Sequence, residues 1–226
     1  MKNYIRILCI LLAIGMSNAG HGQSLQFSQP HGFYEQPFQL QITAIDGDSP
    51  LPEGVSLRYT LDGSEPTLQS AAYTKPLTVS GTTILRAAAV ADTGRVTPIA
   101  TATYLFVNDV LRQNNTPEGY PTEWGSFTQI EGTAIADYEM DPEMTADATL
   151  RPKIIEGLKS LPVISIVTDR DNLFSHENDP DRGGIYIYTG PPVGDNTGHG
   201  WTRPASVEMI TVAVNAQSSM FNGQWP

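Results

Sequence analysis

Tyr59, Asp62, Glu65 and Tyr73 carry the side chains in the first half of the chain best suited to act on a ligand. Asp62 and Glu65 stand close together in Tyr59-Thr60-Leu61-Asp62-Gly63-Ser64-Glu65-Pro66-Thr67 and offer carboxylate oxygens of the kind a calcium ion takes. Tyr59 and Tyr73 offer aromatic faces on which a sugar ring can stack. The same run also has a structural reading. Asp62 accepts hydrogen bonds from amides of its own turn, Gly63 supplies a positive φ that ends a strand, and Pro66 blocks continued pairing. Tyr59 and Leu61 then face a core. The oxygen spacing is sparser than in a calcium loop and no exposed aromatic cluster accompanies the tyrosines, which favours the structural reading.

The remaining groups with chemical potential are less organised. Asp137, Glu139, Asp141 and Glu143 alternate around Tyr138 and Met140. Paired carboxylates do acid–base work only in a closed site that shifts one of their pKa values, and nothing nearby supplies one, so a solvated face is expected. Asp169, Asp171, Glu177, Asp179 and Asp181 lack the spacing of a known calcium loop. Gly190 to Gly200 is glycine-rich but has no Lys-Ser/Thr pair, and its prolines remove amide donors that a phosphate cradle needs. The four histidines, His21, His31, His176 and His199, do not fall at metal-ligand spacing. Ser206 lacks the flanking glycines of a nucleophile elbow. No catalytic residue, metal site or cofactor is therefore expected.

The elements that position these residues are mainly β. Phe38 to Thr43, Val55 to Leu61, Ile84 to Val90 and Thr101 to Val107 alternate or carry β-branched and aromatic residues, and turn signals such as Asp62-Gly63, Ser80-Gly81 and Asp92-Thr93-Gly94 separate them. This predicts an antiparallel immunoglobulin-like or fibronectin-III-like β-sandwich over residues 25–107. Residues 108–160 read as a linker with a short helix that has Pro152 in its first turn. Over 161–226 the pattern is an incomplete α+β segment. Leu161 to Thr168 reads as a strand buried on both faces, Asp171 to Phe174 as a helical turn, and Ile185 to Tyr188 and Ala205 to Val214 as further strands.

Residues 1–22 read as a secretory signal peptide, with basic Lys2 and Arg6, an apolar run from Ile5 to Gly15, and Ser17-Asn18-Ala19 as the cleavage site. The run is too short to span a membrane, so no transmembrane segment is expected in the mature chain. Cys9, the single cysteine, lies within that run, which leaves the mature chain without a disulfide. The net charge of −11 falls to −13 once Lys2 and Arg6 depart, which disfavours nucleic acid and anionic lipid as partners.

Two resemblances follow from longer stretches. Tyr59 to Thr67, Tyr73, Thr83-Ile84-Leu85-Arg86-Ala87-Ala88-Ala89 and Thr103-Tyr104-Leu105-Phe106 resemble the chitobiase/β-hexosaminidase C-terminal-type domain, also called the fibronectin type III-associated repeat. The order Asp137 to Pro142, Leu161 to Ile166, Leu173-Phe174, Gly184-Ile185-Tyr186 and Trp201-Thr202-Arg203-Pro204-Ala205-Ser206-Val207-Glu208 resembles the opening of CotH-family proteins, the spore-coat-protein-H-like kinases. The second resemblance implies a domain whose ATP and metal ligands lie beyond these residues, so no catalytic residue carries over. Gly184, Ile185, Tyr186, Trp201, Arg203, Pro204, Ser206 and Glu208 are then packing and positioning residues, with Arg203 a candidate partner of Glu208. Together the resemblances imply the N-terminal accessory part of a secreted or cell-surface bacterial protein, truncated after Pro226 and non-catalytic as it stands. Its partners would be cell-wall or environmental polysaccharide, or surface proteins. The alternative is a free-standing carbohydrate-binding or adhesion module. On either reading the second half is expected to expose strand edges and an apolar face, and limited proteolysis to leave a core ending near residue 107.

Overall fold

The computed structural model describes residues 24–45, 51–126, 132–177, 179–185 and 202–211. The first ten strands are β1 (Ser24–Phe27), β2 (Gly32–Phe33), β3 (Phe38–Leu40), β4 (Ile42–Ile45), β5 (Ser56–Thr60), β6 (Ala71–Ala72), β7 (Leu77–Val79), β8 (Thr83–Ala91), β9 (Gly94–Arg95) and β10 (Ala100–Leu105). The main sheet runs β2-β10-β8-β5-β6, and β9 pairs with the end of β8. Two pairs, β1 with β4 and β3 with β7, face it. All of these pairings are antiparallel except β2 with β10, which is parallel.

The period of two along β8 makes this a sandwich. Leu85, Ala87 and Ala89 point one way, and Ala102 and Leu57 stand opposite Leu85 and Ala89 on the neighbouring strands. That face meets Leu40, Ile42 and Val79 from the opposing pairs, and Tyr104 is buried among them. Phe38 meets the Tyr104 ring edge-on at 5.2 Å, and the Tyr104 hydroxyl donates to the Gln29 carbonyl at 3.1 Å. Burial pushes this phenol above its ordinary pKa, and the nearby Tyr34 and Glu208 push in the same direction.

Two strands end differently from their sequence patterns. Phe38 to Thr43 alternates as one strand, yet the chain changes partners at Gln41, giving β3 to β7 and β4 to β1. The amide of Gln41 donates to the Ser28 side chain at 2.8 Å and its carbonyl accepts from the Ser28 amide at 3.0 Å, so the break leaves neither group unpaired. β10 stops at Leu105 rather than running to Val107. Thr82 Oγ1 accepts from the Phe106 amide at 2.9 Å, and Val107 opens the helix α1 (Val107–Val110).

Between residues 108 and 160 lie the rest of α1, the hairpin β11 (Glu123–Ser126) and β12 (Thr133–Ile135), α2 (Pro142–Ala146) and α3 (Arg151–Ser160). Asp141 caps α2 by accepting from the Glu143 amide at 2.9 Å, and Pro152 occupies the first turn of α3 as its residues predict. Tyr120, Trp124 and Tyr138 form a small aromatic cluster with Phe174 of α4 (Arg170–Phe174). Tyr138 and Met140 are both half-buried.

A third layer covers the outer face of the main sheet. β13 (Val163–Val167) pairs antiparallel with β14 (Ser206–Ile210). β13 is not buried on both faces, contrary to its apolar sequence. Val167 is buried, but Ile164 and Ile166 are 64% and 67% exposed, and Val207 and Met209 opposite them are exposed too. The pair turns Ser165, Ser206 and Glu208 inward together with Val167 and Ile210, and turns Ile164, Ile166, Val207 and Met209 outward. The reason lies in the surface it covers, which presents Arg86, Thr101 and Thr103.

Candidate functional site

The Asp62 turn is built locally. The Asp62 carboxylate accepts from the Ser64 amide at 3.0 Å and the Ser64 hydroxyl at 2.6 Å, and the hydroxyl contact is the main cause of its lowered pKa. Gly63 has φ +82° and donates its amide to the Ile84 carbonyl at 3.1 Å, which fixes the turn against β8. Glu65 leaves this turn and pairs with Arg95. Tyr59 and Tyr73 pack against the sandwich core, edge to face at 6.5 Å, and the Tyr73 hydroxyl accepts from the Ile42 amide at 3.1 Å. The structure thus divides the four residues. Asp62 and Glu65 are both exposed but take separate partners, whereas both tyrosine rings lie inward. Among the described residues no group of three or more His, Cys, Asp or Glu side chains is placed to hold a metal ion.

The family-motif positions lie elsewhere. Tyr186 and Trp201 fall outside the described residues, as do the signal segment and the glycine-rich loop. Gly184 donates to the Ser175 carbonyl at 2.9 Å, and a Cβ added there would collide with the Leu173 carbonyl. The Ile185 amide donates to the Asn172 carbonyl at 2.9 Å. Arg203 reaches the Gly183 and Thr202 carbonyls, and the Pro204 carbonyl accepts from Thr168 Oγ1 at 2.7 Å.

Glu208 meets other partners than Arg203. It is buried, its Oε2 accepts from Thr103 Oγ1 at 2.6 Å, and its Oε1 lies 2.9 Å from His31 Nδ1. That histidine nitrogen acts as a donor only when it carries a proton. Ser165 joins Thr103 at 2.7 Å, and Thr101 donates to Ser206 at 2.9 Å. Farther along the same face, Arg86 Nη1 donates to Asp169 Oδ1 at 2.7 Å and to the Gly63 carbonyl at 3.0 Å. These contacts form one polar seam between β8 and β10 on one side and the β13–β14 pair on the other. The sequence alone does not bring Thr103, Arg86, His31, Ser165 and Asp169 together; in it Asp169 and His31 are weighed only as metal ligands and the other three only within longer family-like runs. The available signals were an arginine inside the apolar run Thr83 to Ala91 and threonines at alternate positions in β10.

Two clefts flank these features. One of about 430 Å³ lies between the β2–β3 connection, α1 and α3, with Glu35, Gln36, Asn108, Asp109 and Lys159 in its walls. The Glu35–Lys159 and Asp109–Arg112 pairs balance its charge. The other, of about 410 Å³, opens where the end of the main sheet meets the residues leading into β14.

Residues 29–101 match the family model of the chitobiase/beta-hexosaminidase C-terminal domain. The chitobiase-type match takes in β2 to β9, the Asp62 turn and the start of β10. It therefore includes Arg86 and Thr101 but not Thr103, and none of the residues that meet them from β13 and β14. No curated protein and no solved structure matches the chain.

Proposed function

We propose that this chain is the carbohydrate-associated, non-catalytic N-terminal accessory part of a secreted CotH-like protein. The observation that carries the carbohydrate part is the chitobiase-type match over residues 29–101, seated on a folded β module with a charge-balanced polar cleft beside it. Amide and carboxylate side chains such as Gln36, Asn108 and Glu35 are the kinds of group that orient sugar hydroxyls. The CotH-like part draws on the motif order from Asp137 to Glu208 and on the outward apolar face of β13 and β14, a surface suited to covering by further structure.

The test is retention of the mature chain on chitin, cellulose and peptidoglycan. Retention on at least one of them is expected, weakened by Gln36→Ala with Asn108→Ala. Passage through all three unretained would overturn the carbohydrate reading and favour a spacer. Calorimetry with ATP should be flat, and measurable nucleotide affinity would contradict the non-catalytic assignment.

A further inference from the structure

The 410 Å³ cleft at the sheet end carries an unsatisfied donor. Arg86 is only 7% exposed, and its Nε has no hydrogen-bond partner. Both described bonds of this guanidinium, to Asp169 and to Gly63, use Nη1, and none uses Nη2. The edge formed by Nε and Nη2 therefore has no protein partner, and its Nε is fully enclosed. That edge presents two parallel N–H groups, the geometry that matches the two oxygens of a carboxylate. Leaving a buried charged donor unpaired is costly, so such a group commonly marks a place where a partner binds.

The rest of the lining agrees. Arg95, Thr97 and Ser206 join Arg86 in the walls, with apolar residues such as Ile99 and Pro204 beside them, and no acidic residue lines the cleft. Thr97 Oγ1 accepts from the Ala89 amide at 2.9 Å, and Ser206 Oγ accepts from Thr101 at 2.9 Å, so each keeps its hydroxyl hydrogen to donate. Arg95 is held at the rim by Glu65, and Asp169 holds Arg86 through its other nitrogen. The cleft is thus rich in donors and poor in acceptors on a chain of net charge −11.

We propose that this cleft binds the carboxylate of a small ligand, with the Nε and Nη2 edge of Arg86 as the deep donor pair and Arg95 at the rim. Ser206 comes from the β13–β14 layer, so the site is complete only while that layer is docked. The proposal is independent of polysaccharide retention, which concerns another cleft.

The direct probe is the Arg86 Nε–H resonance of the ¹⁵N-labelled mature chain, titrated with glucuronate, glucose, acetate and the dipeptide alanyl-alanine. Glucuronate or alanyl-alanine should shift it while glucose does not, and which of the two shifts it more identifies the source as an acidic sugar or a peptide end. Acetate should reproduce the shift more weakly. Arg95→Gln, an exposed substitution that preserves the fold, should weaken the binding about tenfold. Arg86→Lys should abolish it while keeping the charge. No shift with any carboxylate, or an equal shift with glucose, would overturn the proposal.

Discussion

The two faces of the main sheet are held by different physics. On the inner face Leu85, Ala87, Ala102 and Tyr104 meet Leu40, Ile42 and Val79 with little polar chemistry. On the outer face Arg86, Thr101 and Thr103 meet Asp169, Ser165, Ser206 and Glu208 through directed bonds of 2.6 to 2.9 Å. Apolar burial sets the amount of stability and is tolerant of direction. A polar seam contributes less net stability but fixes position, because each misplaced buried group loses its partner. The inner face therefore makes the module, and the outer face decides how the second half of the chain sits on it.

The largest expected effect breaks the inner face. Leu85→Ala removes a fully buried side chain and should cost about 2–5 kcal/mol, read as a lowered denaturant midpoint for the whole described fold. Next comes the seam. Glu208→Ala removes the partner of Thr103 and His31 and should cost about 1–3 kcal/mol, confined to the docking of β13 and β14. A double-mutant cycle with Thr103→Val separates the pair from the rest. A global loss equal to that of Leu85→Ala would erase the distinction between the faces.

Gly63 joins the two. Its φ of +82° disfavours any side chain, and a Cβ would lie 3.3 Å from Ile84 Cγ2 and 3.5 Å from Val167 Cγ1. Gly63→Ala should cost about 1–2 kcal/mol by urea unfolding. A smaller effect comes from acid. The Asp62 carboxyl is lowered by the Ser64 hydroxyl, so its folded pKa lies below its unfolded one. Its contribution is present above the unfolded pKa and is lost as pH falls through the folded pKa. Asp62→Asn should flatten that part of the acid limb of thermal stability while leaving neutral pH nearly unchanged. Smallest is Arg95→Gln, which removes an exposed pair with Glu65 and should cost about 0–1 kcal/mol, falling further in salt.

The inner face was legible in the sequence because alternation encodes it locally. Leu57 with Tyr59, and Leu85 with Ala87, fall on one side by period two alone, and Asp62-Gly63 announces its turn. The seam was not legible, for two reasons. Its partners are distant in sequence, Thr103 from Glu208 and Arg86 from Asp169. In addition, β13 inverts the usual rule. Val163-Ile164-Ser165-Ile166-Val167 reads as a strand buried on both sides, yet Ser165 turns in and both isoleucines turn out because the sheet beneath is polar. The exposed apolar face expected of the second half is present on β13 and β14, but the same strands also have a seat that no local pattern announced. Arg203 illustrates the same limit. Its proximity to Glu208 in sequence suggested a pair, whereas Arg203 lies ahead of β14 and reaches the Gly183 and Thr202 carbonyls, and the glutamate reaches Thr103 and His31 instead.

Hydrogen exchange by mass spectrometry on the wild type and Glu208→Ala tests the division between the faces most directly. The variant should lose protection at residues 163–167 and 206–210 while residues 83–91 and 100–105 keep theirs. Unchanged protection in β13 and β14, or equal loss in β8 and β10, would contradict a polar seam that docks the second layer onto an independently packed sandwich.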